Sequence, residues 1–123
     1  MLSTKTKKPP KYGNTRTVLD GIKFASAKES RRYAELKLLE RAGLISALEL
    51  QPSFILAPGV TFHDGEKKRS LRYVADFSYR VEQDGDHFRV VEDVKSEATR
   101  KDKLYRTKKH LMKSVLGLDI TES

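Results

Sequence analysis

The sequence predicts an α/β protein in which one small mixed sheet is flanked by helices, with a short hairpin and a basic arm ahead of it. Three observations carry this. Two stretches with apolar residues at helical spacing, SAKESRRYAELKLLERAG and a second from about Thr99 to Leu116, enclose three runs rich in β-branched and aromatic residues. The breaks between those runs, HDGEKKR and EQDGDH, each contain an Asp-Gly pair of the kind that turns a chain back on itself. With 123 residues the chain fits one domain, long enough to bury a core, and is too short for two.

Residues 1–14, MLSTKTKKPPKYGN, mix Lys, Pro, Gly and polar residues without periodicity and read as a flexible basic arm; residues 15–123 read as a single domain. TRTVLDGIKF alternates around Asp20-Gly21, a two-residue hairpin signal. A helix is expected from Ser26, which offers a capping hydroxyl, to Gly43, which suits the turn just past a helix end. ALELQPSFILAP, LRYVADFSYRV and FRVVEDVKS follow as three strands of a meander. The second helix places Leu104, Leu111 and Val115 on one side, and GLDITE is expected to add a last short strand. The resulting order is helix, three strands, helix, strand.

Composition narrows the function. Lys and Arg number 25 against 17 Asp and Glu, a formal net charge of +8, which favours a polyanionic partner such as DNA or RNA. With no cysteine there is no disulfide framework and no thiolate ligand, so any metal must be held by oxygen or imidazole, as magnesium is. No run is long and apolar enough to span a bilayer and no signal-peptide core is present, so no membrane partner is expected and the cytoplasm is the expected location. Neither a Gly-rich phosphate loop nor a G-x-S-x-G elbow occurs, and His63, His87 and His110 have no ligand spacing.

Against that background the strand-borne charges stand out. An ionised carboxylate in a sheet interior costs several kcal/mol, on the order of the penalty for any buried ion, unless a cation or hydrogen bonds compensate it. Asp93 and Lys95 are two apart in one strand and share a face; Asp76, in the preceding strand with Val74 and Ser78, can converge with Asp93 at one end of the sheet. Two such carboxylates repel each other unless a divalent cation sits between them, and a neighbouring lysine can then stabilise charge on a phosphate. Glu29 lies on the largely apolar stripe of the first helix with Tyr33, Leu36 and Leu39. Its position is equally that of the acidic partner in a capping box with Ser26.

FASAKE opening a helix, then YVADF, then EDVKS resemble the PD-(D/E)XK, or restriction-endonuclease-like, nuclease superfamily, in the small branch of phage junction-resolving and transposon-end-cleaving endonucleases. In small phage proteins of that superfamily DGIKF, ELKLLERAG, LELQPSF, YVADF and VVEDVK recur in this order, so the resemblance covers roughly residues 11–120. It implies an αβββαβ core, with Glu29, Asp76 and Asp93 as acidic metal ligands, the Val94 carbonyl as an extra ligand and Lys95 as the catalytic lysine. It further implies Mg2+-dependent hydrolysis of DNA phosphodiesters, with Mn2+ as a substitute, selective for branched or Holliday-junction DNA in phage recombination or processing inside a bacterial host. Because one small site cuts one strand, a homodimer is implied too. Ala75 stands where relatives often have Pro, and Asp93 where many have Glu, which shortens the reach to a metal.

Some assignments stay open at this level. Glu92, next to Asp93, faces away from Lys95 by alternation, but a bulge would exchange the two acids. Gln51 either lies near the metal edge or bonds backbone at a strand end. Arg100, Lys101, Lys103, Arg106, Lys108 and Lys109 on the second helix are candidate DNA contacts, because that helix begins directly after Lys95; a solvated charged face is the ordinary alternative. A DNA-binding module that keeps the fold without activity, a general nicking nuclease, and an RNA-directed or architectural protein are the competing functions.

Overall fold

A computed structural model describes residues 17–123, so the arm expected at residues 1–14 lies outside the described residues. β1 (Thr17–Leu19) and β2 (Ile22–Phe24) form the expected hairpin. Asp20 and Gly21 turn it with φ of 52° and 74°, the left-handed pair that matches a two-residue turn to strand twist. α1 (Ala27–Arg41) begins where the Ser26 hydroxyl accepts the Glu29 amide at 3.1 Å. At its other end Gly43 is left-handed (φ 77°), and the amides of Gly43 and Leu44 donate to the carbonyls of Glu40 and Leu39. Those two bonds satisfy carbonyls the helix leaves open, and a residue without Cβ adopts that backbone at little cost.

The first two expected strands are each broken. ALELQPSFILAP yields β3 (Ser46–Leu50) and β4 (Ser53–Ala57). After a small hairpin of β5 (Val60–Thr61) and β6 (Lys67–Lys68), LRYVADFSYRV yields β7 (Leu71–Val74) and β8 (Phe77–Gln83). Pro52 has no amide to give a ladder, and Gln51 takes φ of 50° to let the chain turn. The two breaks face each other: the Gln51 amide donates to the Asp76 carbonyl at 2.9 Å and the Ala75 amide to the Pro52 carbonyl at 3.1 Å. One long hairpin thus passes from the β3–β8 pairing to the β4–β7 pairing at a shared bend.

β9 (Asp86–Asp93) returns antiparallel to β8 through the left-handed Asp84-Gly85 turn. The second helix, expected as one piece, is two: α2 (Glu97–Arg100) and α3 (Lys103–Leu116). Asp102 makes the break, because its carboxylate accepts the Tyr105 amide at 3.0 Å and caps a new helix start. β10 (Ile120–Glu122) then pairs parallel to β9. The main sheet has the order β10-β9-β8-β3, mixed in direction, and the protein is a mixed α/β structure with three helices among the described residues.

The core has two parts. Tyr33 and Leu36 of α1 pack with Phe24, Ile45, Phe77 and Tyr79; Tyr105 and Met112 of α3 pack with Phe54, Leu56, Tyr73, Val91 and Ile120. Each fully buried side chain of the Leu36, Phe77 or Met112 kind stabilises by about 1.5–3 kcal/mol. The buried stripe of α3 differs from the expected one. Tyr105 and Met112, two turns apart, set its phase, Leu111 is partly buried, and Leu104 and Val115 stay exposed. No helix among the described residues is long and apolar enough to cross a membrane.

Candidate active site

Asp76 lies in the break between β7 and β8, so its direction is set by the bend and not by alternation with Val74 and Ser78. Its Oδ2 accepts the Val94 amide at 2.7 Å, which ties it to the end of β9. Asp93, the last residue of β9, is buried; its Oδ2 accepts the Tyr73 hydroxyl and lies 3.3 Å from Lys95 Nζ. The same ammonium sits 4.6 Å from the centre of the Tyr105 ring, and the Tyr105 hydroxyl donates to Glu122 at 2.6 Å. Glu29 reaches this end of the sheet from the first turn of α1 and is buried too. Three carboxylates therefore gather around one lysine.

Their electrostatics show the crowding. Burial, then contact with Asp93, pushes the Asp76 carboxyl up to about 8, against the opposing pull of the Val94 amide. Glu29 is raised as well, first by burial; the charge of Asp93 adds to this, while the Ala25 amide and Lys95 oppose it. The amide that steadies the Glu29 carboxylate is thus that of Ala25, so Glu29 both supports the helix start and faces the acidic cluster. The Tyr73 phenol is held well above its ordinary range by burial and by Asp93.

This donor set suits a hard divalent cation: all its ligating atoms are oxygens, and a positive ion between Asp76 and Asp93 would offset the repulsion that raises Asp76. Among the described residues no three His, Cys, Asp or Glu side chains form a ready-made ligand group. What is presented is a carboxylate pair, Asp76 and Asp93, with Glu29 beside it. A cleft of about 220 Å³ opens here, lined by Ser26, Lys28, Glu29, Asp76, Lys95 and Thr99. A second, of about 190 Å³, shares Glu29 and Asp76 and includes Gln51, Leu50 and Phe24. Gln51 thus lines a cleft beside Glu29 and Asp76 and also donates its backbone amide to the Asp76 carbonyl at the strand end.

Glu92 is placed elsewhere. Its carboxylate, with no exposed surface, takes two bonds from Arg32 at 2.6 and 2.9 Å, one from the Tyr79 hydroxyl at 2.7 Å and one from Ser123 at 2.9 Å. Burial alone would raise its carboxyl, but these bonds outweigh it and hold Glu92 below the usual carboxylate range. It faces α1, on the opposite side of β9 from Asp93.

The second-helix cations divide. Ser96 and Thr99, at the start of α2, line the acidic cleft. Arg100, Arg106 and Lys109 line a separate groove between α3 and β10. Lys101 pairs with Glu97 at 3.6 Å and Lys109 with Glu122 at 3.3 Å; Lys103 is exposed and Lys108 half-buried. Sequence reasoning missed Tyr73, Tyr105 and Lys28, whose Nζ donates to the Lys95 carbonyl at 3.2 Å. The signal for the tyrosines was present, since a phenol in a buried run needs a hydrogen-bond partner.

The fold and this site define a small mixed α/β protein with a buried acidic cluster and one lysine at the end of its sheet. Residues 9–118 match the family described as Protein of unknown function (DUF1064), and the chain belongs to that family. No curated protein and no solved structure matches it.

Proposed function

We propose that the chain is a divalent-metal-dependent endonuclease that hydrolyses DNA phosphodiesters, built on a PD-(D/E)XK core. The observation that carries this reading is that Asp76, Glu29 and Lys95 line one open cleft, with the buried Asp93 directly behind it in contact with Lys95 and Asp76. The order of α1, the β3/β4, β7/β8 and β9 runs, α3 and β10, with helices on both faces of the sheet, supports the nuclease core.

A bound Mg2+ or Mn2+ would supply an activated water and a positive charge for the phosphate. Asp76 and Asp93 would hold it, with Glu29 and the Val94 carbonyl as further oxygens. Lys95 keeps its ammonium against Asp93 and over the Tyr105 ring, ready to meet charge that builds on a phosphate oxygen. Tyr73 fixes the Asp93 carboxylate through one oxygen, and Lys28, anchored on the Lys95 carbonyl, brings a second cation to the cleft. Selectivity for branched or Holliday-junction DNA, a homodimer that pairs two such sites, and a role in phage recombination in the cytoplasm of a bacterial host complete the proposal.

The test is cleavage of matched four-way junction, Y-shaped and linear duplex DNA with Mg2+ or Mn2+, using EDTA and Asp76→Asn as controls. Metal-dependent cutting that prefers the branched substrates and falls to background in the variant is expected. Cutting by Asp76→Asn at the wild-type rate would sink the assignment. One observation favours a second reading, a non-catalytic nucleic-acid-binding module: the described residues contain a carboxylate pair and not a complete three-ligand group. Tight binding without cutting in either metal would select it.

A further inference from the structure

We infer that the end of α2 and the first turns of α3 carry the backbone of a nucleic acid away from the acidic cleft, on a track formed by Arg100, Lys103 and Arg106. The inference rests on the reading that a nucleic acid enters that cleft, and it assigns the binding to only part of the basic helix. Of the cations there, Lys101, Lys109 and Lys113 each face a carboxylate, those of Glu97, Glu122 and Asp119. The side chains of Arg100, Lys103 and Arg106 are exposed; Arg100 feels the charge of Glu122 without forming an ion pair, and Lys103 and Arg106 make no ion pair or hydrogen bond among the described residues.

Their placement is ordered. Arg100 and Arg106 line the groove of about 360 Å³ between α3 and β10, and Lys103 and Arg106 line a hollow of about 450 Å³ along the same helix. Lys103 and Arg106 are three apart and share a helix face, which His110 continues at the next turn. From Lys103 to His110 the helix rises roughly 10 Å, enough to follow about three phosphates of one strand at 3.4 Å of duplex axis each. The track also meets the cleft. Thr99 lines the acidic site and the next residue, Arg100, lines the groove, so α2 is the divide between them. Concave grooves that run on from a cleft suit a linear polyanion; an anionic membrane would instead lie flat against the helix.

The experiment is fluorescence anisotropy of the full chain with labelled duplex DNA in EDTA, between 50 and 200 mM salt, a range in which phosphate contacts dominate. Arg100→Gln, Lys103→Gln and Arg106→Gln are each expected to lower the salt slope by about 0.9, and the triple variant by about three times that. Lys68→Gln, on β6, is expected to leave the slope unchanged, and circular dichroism confirms that each variant is folded. A folded triple variant with the wild-type slope overturns the inference. So does a triple variant that loses binding to phosphatidylglycerol vesicles while its DNA binding is unchanged. Without divalent metal the slopes are read apart from cleavage. A chain that binds through these residues but never cuts refutes the nuclease and keeps the track; a nuclease whose slope ignores them does the reverse.

Discussion

Replacing Asp76 with Asn is expected to make the protein more stable at pH 8 while it ends cleavage. The Asp76 carboxyl is pushed up to about 8 from an ordinary 3.8, by burial first and then by Asp93. A folded-state pKa above the unfolded one means that the native protein binds this proton more tightly, so stability is greatest below pH 3.8 and is lost as pH rises towards 8. At about 1.4 kcal/mol per unit, a shift of about four units sets a ceiling near 6 kcal/mol. Structural relaxation around the buried carboxylate reduces that to roughly 1–3 kcal/mol. Asn is uncharged throughout and keeps a carbonyl to accept the Val94 amide, so it recovers this amount. Thermal unfolding in EDTA at pH 4 and pH 8 measures it, at roughly 3–5 °C per kcal/mol for a domain of this size. The gain is expected at pH 8 and nearly absent at pH 4, and Mg2+ is expected to raise the wild-type Tm at pH 8 but not that of the variant. A variant no more stable than wild type at pH 8 would refute the reasoning that the ionised pair opposes folding.

Two further substitutions probe the surrounding support. Arg32→Met removes the bidentate partner of the Glu92 carboxylate, which has no exposed surface, and is expected to cost about 3–5 kcal/mol in guanidinium unfolding. Because Glu92 is held below its ordinary 4.5, its contribution is full above that value and fades as pH falls below it; a difference between variant and wild type that stays constant into acid contradicts the pairing. Tyr73→Phe deletes only the hydroxyl that donates to Asp93 and is expected to lower stability by about 1.5–3 kcal/mol, with a roughly tenfold slower single-turnover cleavage. Wild-type values for both would show that Lys95 alone orients the carboxylate.

Much of the architecture was legible because local chemistry and global fold agree. Asp20-Gly21, Ser26 and Gly43 each act as their residue types suggest, and the helix, strands, helix, strand order follows from patterning. The chain is harder to read where one residue decides between neighbouring solutions. Pro52 was a visible reason to split ALELQPSFILAP, but the matching break at Ala75-Asp76 exists because its backbone answers Gln51 and Pro52 across the hairpin, a long-range condition. Asp102 was readable as a cap only with Tyr105 as its partner. At the site, alternation separated Glu92 from Asp93, yet the face of each depends on Arg32 from one helix and on Tyr73 from another strand. Exposure of Leu104 and Val115 was not legible, since helical spacing alone leaves the phase of α3 open.

The bent hairpin has a consequence for engineering. Beyond the bend, β4 and β7 lead only to the small β5–β6 tip, where Gly65 turns at φ 90° and every residue from Val60 to Lys68 is exposed. Both ends of that tip leave the same ribbon, so extra chain inserted there meets no core side chain and does not pass through the acidic cluster. The turn at His63–Glu66 is therefore the natural place to graft an epitope or a fluorophore peptide, which would report on the protein from a position its chemistry does not use.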